Sequence, residues 1–254
     1  MLNDARGVEL LTWIWTGIAV VTAAVLLRIA APYGRHARTG WGSAIPSALG
    51  WIVMECPSPI LMTVFFATGS RTADPAARLF LALWVGHYVY RSFIFPWLGR
   101  GRKAAMPLGI VASAILFNTV NATLNGRWLF AVGPERGGAW LLDPRCLAGL
   151  VVFVAGFAIH VRADAALRAL RVPGGGGYAI PRGGLFELVS CPNYLGEVVE
   201  WTGFAILTWS PTGLSFAVWT AANLVPRAIA HHRWYRERFP EYPDRRHAIV
   251  PWLL

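Results

Sequence analysis

Residues 146–168 read CLAGLVVFVAGFAIHVRADAALR, an apolar run that gains charged residues only near its end. An α-helix rises about 1.5 Å per residue, so about 20 apolar residues cross the ~30 Å hydrocarbon core of a bilayer. Comparable apolar runs recur along the whole chain, separated by Gly, Pro and charged residues. Membrane-spanning helices are therefore predicted near residues 9–31, 45–68, 77–98, 105–124, 146–168, 195–210 and 212–231.

The composition of the 254-residue chain agrees with this pattern. Hydrophobic residues make up 56% of the chain and the mean hydropathy is +0.47, whereas a soluble domain needs more polar surface around its core. Thirteen tryptophans suit the headgroup region of a membrane. We expect an all-α integral membrane protein in which residues 1–254 form a single membrane domain. Its cysteines, Cys56, Cys146 and Cys191, lack metal-ligand spacing and are predicted to be free thiols.

Positive charge sorts to one side of the predicted helices. About 15 Lys and Arg residues follow the first, third and fifth spans or lie in the C-terminal segment, against 6 in the alternate loops. The positive-inside rule then predicts an N-terminus outside, a cytoplasmic C-terminus and an odd number of spans, which seven satisfies. The net charge of +10 therefore reflects membrane orientation and not binding of nucleic acid. The near absence of Lys is typical of a GC-rich, bacterial genome. If the source is bacterial, the protein is expected in the inner membrane. If the source is eukaryotic, it is expected in the endoplasmic reticulum.

Polar residues at membrane depth recur with helical spacing. A charged side chain at the bilayer centre costs about 2.5–3.5 kcal/mol on insertion scales, so such residues turn to the bundle interior and find partners. Six predicted helices carry such residues, and within each helix they lie on one side. The sets are Glu55 alone; His87, Tyr88 and Arg91; Asn118, Asn121 and Asn125; Asp164, Arg168 and Arg171; Asn193, Glu197 and Glu200; and Arg227, His231 and Tyr235.

Two interpretations of these polar sets are open. They can be contacts that hold the helices together, or the lining of a buried chamber that opens to the cytoplasm. Six sets, with acids at Glu55, Glu197 and Glu200 among them, favour the chamber. The histidines His231, His232 and His247 are more typical of a membrane interface than of a metal site, and no metal is predicted.

A nucleotide would have to be bound by side chains. No Gly-x-Gly-x-x-Gly motif follows a strand and no phosphate-binding loop ends in Gly-Lys-Ser/Thr. The run Gly174–Gly177 is interpreted as a hinge. Arginines on the cytoplasmic side can take this role, because the guanidinium fork matches phosphate geometry.

Several segments resemble the steroid 5α-reductase family. They are GLFELVSCPNYLGEVVEWTGFA at 184–205, RAIAHHRWY at 227–235, FPEYP at 239–243, AIVP at 248–251, ECPS at 55–58, HYVYR at 87–91 and RGR at 100–102. The resemblance covers most of the chain from about residue 50, and the C-terminal signature lies at about 150–254. Glu55 and the His-Tyr-x-x-Arg motif are the features that point to the 5α-reductases themselves.

The resemblance implies a seven-helix enzyme that reduces the Δ4 double bond of 3-oxo-Δ4-steroids with NADPH. It implies that Glu55 and Tyr88 hold the 3-keto oxygen as the catalytic pair, with Arg91 beside the substrate. The implied cofactor-binding residues are Asn193, Glu197, Asp164, Arg171, His231, Tyr235, Arg227, Asn121, Arg102 and His160. The steroid would enter from the bilayer lipids and the cofactor from the cytoplasm, and we expect a monomer.

The sequence also departs from the family pattern. His160 stands where steroid reductases usually carry asparagine, Met54 where glutamine is common, and Ala179 where arginine is usual. Cys191-Pro192 replaces Gly-Ala and is closer to enoyl-CoA reductases. The alternatives are therefore a reductase of another conjugated lipid, such as a 2-enoyl-CoA or a sterol, and an isoprenylcysteine-type methyltransferase that uses S-adenosylmethionine. A non-catalytic lipid-binding protein is the remaining alternative.

Overall fold

The computed structural model describes residues 1–98, 105–170 and 178–254. Within these ranges the protein is nearly all α-helical. The helices are α1 (Ala5–Leu26), α2 (Ser47–Glu55), α3 (Pro57–Thr68), α4 (Pro75–Val89), α5 (Phe95–Leu98), α6 (Leu108–Arg127), α7 (Pro144–Ala169), α8 (Pro192–Thr208) and α9 (Pro211–Arg238). Two strands of three residues, β1 (Ala44–Pro46) and β2 (Ala105–Pro107), pair antiparallel and correct the strictly all-α prediction.

Polar caps followed by proline define where several helices begin. Asp74 precedes Pro75 and accepts a hydrogen bond from the Ala76 amide at 2.8 Å. Asp143 before α7 and Ser210 before α9 cap their helices in the same way. Such caps satisfy free amides of the first turn, and proline at the first helical position loses no hydrogen bond.

Helical segments occur in all seven of the apolar regions predicted from the sequence, with different ends. Asp4 caps α1, so this helix begins before residue 9. The helix ends at Leu26, whereas the predicted span extends to residue 31. The third predicted span is α4 continued by a π-helical turn (Tyr90–Ile94) and α5. The fourth begins with β2 and its helix continues as a second π-helical turn to Val132. The last helix runs to Arg238, because charged residues continue it beyond the apolar segment.

Among the described residues, four helical segments are long and apolar enough to cross a membrane: Ala5–Leu26, Ser47–Thr68, Leu108–Val132 and Pro144–Ala169. Large apolar side chains on their outer surfaces are exposed, for example Val21 on α1, Leu116 on α6 and Val151 on α7. Exposed apolar surface of this extent is expected where helices contact lipid, and it agrees with a multi-pass membrane protein.

Helices α7 and α8 are so close that several positions of their interface have room only for glycine, which has no Cβ atom. Gly156 on α7 lies against the backbone of Glu200, so that a Cβ atom there would be 2.2 Å from the Glu200 nitrogen. Small residues let membrane helices pack backbone to backbone. The glycines at this interface are Gly149 and Gly156 on α7 and Gly196 and Gly203 on α8. This packing brings the polar side of α7 directly against that of α8.

The C-terminal tail packs against the segment that leads into α8. The Ser190 amide donates to the His247 carbonyl at 2.8 Å, the His247 amide to Leu188 at 2.9 Å, and the Cys191 amide to Ala248 at 3.2 Å. Burial raises the pKa of the Cys191 thiol to about 12, so the thiol stays protonated. All three cysteines are free, as predicted.

Candidate active site

Glu55, Asn118 and Tyr88 form a hydrogen-bonded chain between α2, α6 and α4. The Tyr88 hydroxyl donates to Asn118 Oδ1 at 3.2 Å, and Asn118 Nδ2 donates to Glu55 Oε2 at 3.3 Å. The same amide group donates to the Met54 carbonyl at 2.7 Å, which fixes its orientation. The predicted pair of Glu55 and Tyr88 is therefore connected through an amide that was not among the predicted site residues.

An aromatic cluster surrounds the Tyr88 ring. Trp84 stacks on it at 5.6 Å between ring centroids, and Trp201 lies 6.1 Å away. Phe204 and Phe216 pack against Trp84 in turn. All of these side chains are buried, so the Tyr88 ring lies among apolar groups and its hydroxyl is shielded from water. A hydrogen bond from Tyr88 is worth more there than in water.

A second, charged network joins α4, α7 and α8. His87 Nδ1 lies 2.7 Å from Glu200 Oε1. His160 Nε2 lies 3.1 Å from Asp164 Oδ2 and 3.6 Å from Glu197 Oε1, while its Nδ1 lies 3.6 Å from Glu200 Oε2. His160 and Glu200 have no exposed surface. The close contact of α7 with α8 therefore concentrates three carboxylates around one imidazole.

Arg91 lies at one end of the charged network. Its guanidinium lies 3.9 Å from Glu197 and 4.6 Å from the centroid of the Trp51 ring. At the other end, Asn193 Nδ2 donates to Asp164 Oδ1 at 3.3 Å. A polar path thus leads from Arg91 through Glu197, His160 and Asp164 to Asn193.

A separate basic cluster lies where the loop after α1 meets α9. Arg35 donates to the Tyr235 hydroxyl at 3.4 Å, and Arg227 donates to the Tyr194 hydroxyl at 3.1 Å. The His36 and His231 rings are 5.1 Å apart. Burial, with help from Arg227 and two further arginines, lowers the pKa of His36 to about 4. Positive charge is concentrated here without a matching carboxylate among the contacts of these side chains in the described ranges.

Four nitrogens of this cluster have no hydrogen-bond partner among the described residues: Arg35 Nη1, His36 Nε2, Arg227 Nη1 and His231 Nδ1. Buried polar atoms usually have partners, so a set of unpaired nitrogens that includes two guanidinium donors points to a ligand. Guanidinium and imidazole groups suit an anion such as phosphate. The residues therefore fit the phosphate groups of a nucleotide.

The remaining predicted residues have various positions. Asn121 is buried and paired with Asn125 one turn away, and Arg168 donates to the Tyr90 hydroxyl at 3.1 Å. Arg102, Arg171 and the run 174–177 lie outside the described residues.

Five residues of the networks were not predicted as site residues: His87, Asn118, Glu200, Arg35 and His36. The first three belong to the polar sets and could have been chosen from them. Arg35 and His36 lie in a loop, and only its positive charge was visible in the sequence.

Comparisons with known proteins identify the family. A family model described as 3-oxo-5-alpha-steroid 4-dehydrogenase matches residues 104–254. The chain is 42% identical to steroid 5-alpha-reductase DET2 of Gossypium hirsutum over 240 residues, covering 93% of each chain. It is 40% identical to 3-oxo-5-alpha-steroid 4-dehydrogenase 1 of Bos taurus over 252 residues, 97% of this chain and 96% of that protein. The protein of the same name from Homo sapiens is 41% identical over 224 residues, 87% of this chain and 86% of that protein. The chain therefore belongs to the 3-oxo-5-alpha-steroid 4-dehydrogenase family of oxidoreductases.

Proposed function

We propose that this protein reduces the Δ4 double bond of 3-oxo-Δ4-steroids to 5α-reduced 3-oxosteroids, with NADPH as cofactor. The proposal includes seven membrane spans, an N-terminus outside and a cytoplasmic C-terminus, in a bacterial inner membrane or the endoplasmic reticulum. The steroid enters from the lipid phase. Family membership supports the reaction, and the observation that carries the assignment of residues is the Tyr88–Asn118–Glu55 chain beside the charged network.

Tyr88 and Glu55 would hold the 3-keto oxygen. An enone resists hydride attack until its carbonyl is polarised, and negative charge develops on that oxygen during the reaction. The Tyr88 hydroxyl, which donates to Asn118 Oδ1, would donate to the ketone oxygen instead. Because this donor is fixed in advance among buried aromatic rings, it would stabilise the developing enolate effectively.

Asn118 would orient Glu55 in this pair. Its amide is fixed by the Met54 carbonyl and donates to one oxygen of the Glu55 carboxyl group. If Glu55 carries a proton, its other oxygen can provide a second hydrogen bond to the ketone. Arg91, which contacts Glu197 and Trp51, would line the substrate on the same side. The proton that C4 then receives is expected to come from water.

The polar path and the basic cluster would bind the two ends of the cofactor. Arg35, His36, Arg227 and His231 have free nitrogens for phosphate oxygens, with Tyr235 beside them. Asn193 and Glu197 would hold the nicotinamide, and Asp164, which accepts from Asn193, would orient that amide. When bound, NADPH supplies the hydride for C5. Asn121, Arg102 and Arg171 remain proposed members of the cofactor site, and His160 would belong to it by holding Glu197, which lies 3.6 Å from its ring.

The test is enone reduction by purified protein in detergent, given NADPH and testosterone or progesterone. We expect loss of the enone absorbance and a 5α-reduced product. Tyr88→Phe should lower kcat about 100-fold or more, the usual cost of removing one oxyanion donor. Tyr242→Phe is the matched control, because it also removes a buried hydroxyl but lies in the C-terminal tail.

Three outcomes would contradict the proposal. Tyr88→Phe with unchanged kcat would remove Tyr88 from its role. Reduction of a 2-enoyl-CoA or a sterol without any turnover of the steroids would replace the substrate class. Binding of S-adenosylmethionine in place of NADPH would replace the reaction by methyl transfer.

A further inference from the structure

His87, His160 and Glu200 bring three metal-ligand atoms together in the interior. One nitrogen from each histidine and one Glu200 oxygen all lie within 4.8 Å of one another. In a tetrahedral zinc site with bonds of about 2.1 Å, neighbouring ligand atoms are about 3.4 Å apart. The distance between His160 Nδ1 and Glu200 Oε2 is already 3.6 Å. On the other side of the carboxylate, His87 Nδ1 lies 2.7 Å from Glu200 Oε1.

Two of these groups present atoms that no described residue satisfies. His160 Nδ1 and Glu200 Oε2 have no hydrogen-bond partner in the described ranges, although both side chains have no exposed surface. An unpartnered nitrogen and an unpartnered carboxylate oxygen that face each other form an unfavourable pair without a proton or a cation between them. The two atoms, 3.6 Å apart, are placed as neighbouring ligands of one metal ion would be.

The surroundings of His160 have the pattern of a metal-binding histidine. Its second nitrogen, Nε2, lies 3.1 Å from Asp164 Oδ2. Histidines that bind metals usually donate their other N–H to a carboxylate, which fixes the ring and directs the free nitrogen at the ion. Asp164 itself accepts from Asn193 at 3.3 Å, so its own orientation is also fixed.

The charges around the three residues favour a divalent cation. Asp164, Glu197 and Glu200 place three carboxylates in contact with His160. Arg91 is the permanent cation that contacts them, at 3.9 Å from Glu197, among the residues described. Tyr90 packs edge-on against His160 at 5.6 Å and brings no charge of its own. An excess of negative charge in a buried site is stabilised by a metal ion.

We infer that His87, His160 and Glu200 bind a divalent transition-metal ion, with zinc the best match, and that Asp164 orients His160 from behind. Two imidazoles and a carboxylate form a known zinc-binding set, and imidazole ligands suit first-row transition metals in general. Because His160 replaces the asparagine expected from the family pattern, the site would distinguish this chain from relatives that carry asparagine there.

The test is metal binding by the full-length protein purified in detergent, which needs neither steroid nor NADPH. Protein stripped with chelator is titrated with Zn²⁺, desalted and measured by elemental analysis, and Co²⁺ is added in parallel for its visible spectrum. We expect about one equivalent of zinc and a tetrahedral Co²⁺ band. His160→Asn should weaken zinc binding at least about tenfold, and Asp164→Asn about 10–100-fold. His247→Asn, which removes a tail histidine, should bind zinc as the unaltered protein does.

The inference fails if the stripped, monodisperse protein takes up less than about 0.1 equivalent of zinc. It also fails if His160→Asn binds zinc as tightly as the unaltered protein, since the ion would then lie elsewhere. Gel filtration and circular dichroism confirm that each variant is folded before it is compared. Because metal content is measured without turnover, failure here leaves the proposed reaction untouched.

Discussion

Replacement of Gly156 by alanine tests the close contact between α7 and α8. The added methyl carbon would lie 2.2 Å from the Glu200 nitrogen and 2.7 Å from the Gly196 oxygen. Non-bonded atoms prefer about 3.5–4.0 Å, so the two backbones must separate by more than about 1 Å. Overpacking of this kind costs about 3 kcal/mol at its upper end. Alanine recovers about 1 kcal/mol of helix propensity, which leaves a net loss of about 2 kcal/mol.

The assay is the half-life of the folded protein in detergent at a fixed elevated temperature, followed by tryptophan fluorescence. A loss of about 2 kcal/mol shortens this half-life about 30-fold if the strain is released on the way to unfolding. Gly17→Ala is the matched control, because Gly17 is also helical and no described atom lies within 4 Å of its Cβ position. If Gly156→Ala has the same half-life as Gly17→Ala, the backbone contact does not hold the helices together and the reasoning is refuted.

Two further predictions concern the loops. Arg71 is buried and donates to carbonyl oxygens between Trp128 and Pro134. Arg71→Gln should destabilise the folded protein by about 3 kcal/mol in the same assay, because buried acceptors lose their donors. Arg78→Gln, an exposed control, should cost little, and equal losses would contradict this role. Burial, and after it the charge of Arg227, lowers the pKa of His36 to about 4. As the pH falls, His36 is therefore protonated in the unfolded chain before it is protonated in the folded protein. The free energy of unfolding should decrease as the pH drops from about 6.5 towards about 4. His36→Gln should weaken this dependence, and an unchanged pH profile would exclude His36 as its source.

The helices were largely predictable because their signals are local. Apolar runs set their positions, and a polar cap such as Asp74 or Ser210 marks where a helix begins. The sides of the helices were predictable too, since Asn193, Glu197 and Glu200 share a face by spacing alone. That these polar sides face the bundle interior followed from the cost of burying charge, and the 2.7 Å contact between His87 and Glu200 agrees with it.

Contacts between distant segments were not predictable. Asn118 lies between Glu55 and Tyr88 only because α2, α4 and α6 meet. Arg35 joins Tyr235 across 200 positions of the chain, and no local pattern reveals such a partner. The ends of α1 and α9 differed from the prediction because hydropathy locates lipid-facing surface, whereas capping and solvent-exposed charged turns determine where a helix stops.

The tail that packs beside α8 affects how the protein is made. Ser190 receives its partner at His247 only after another 57 positions have been translated. While the ribosome is still producing α9, the hydrogen-bonding groups at 188–191 have no tail to pair with. This end of the helix bundle, where the cofactor is proposed to bind, is therefore expected to mature last during biosynthesis. Nascent chains stalled before residue 247 should consequently be protease-sensitive around 178–191.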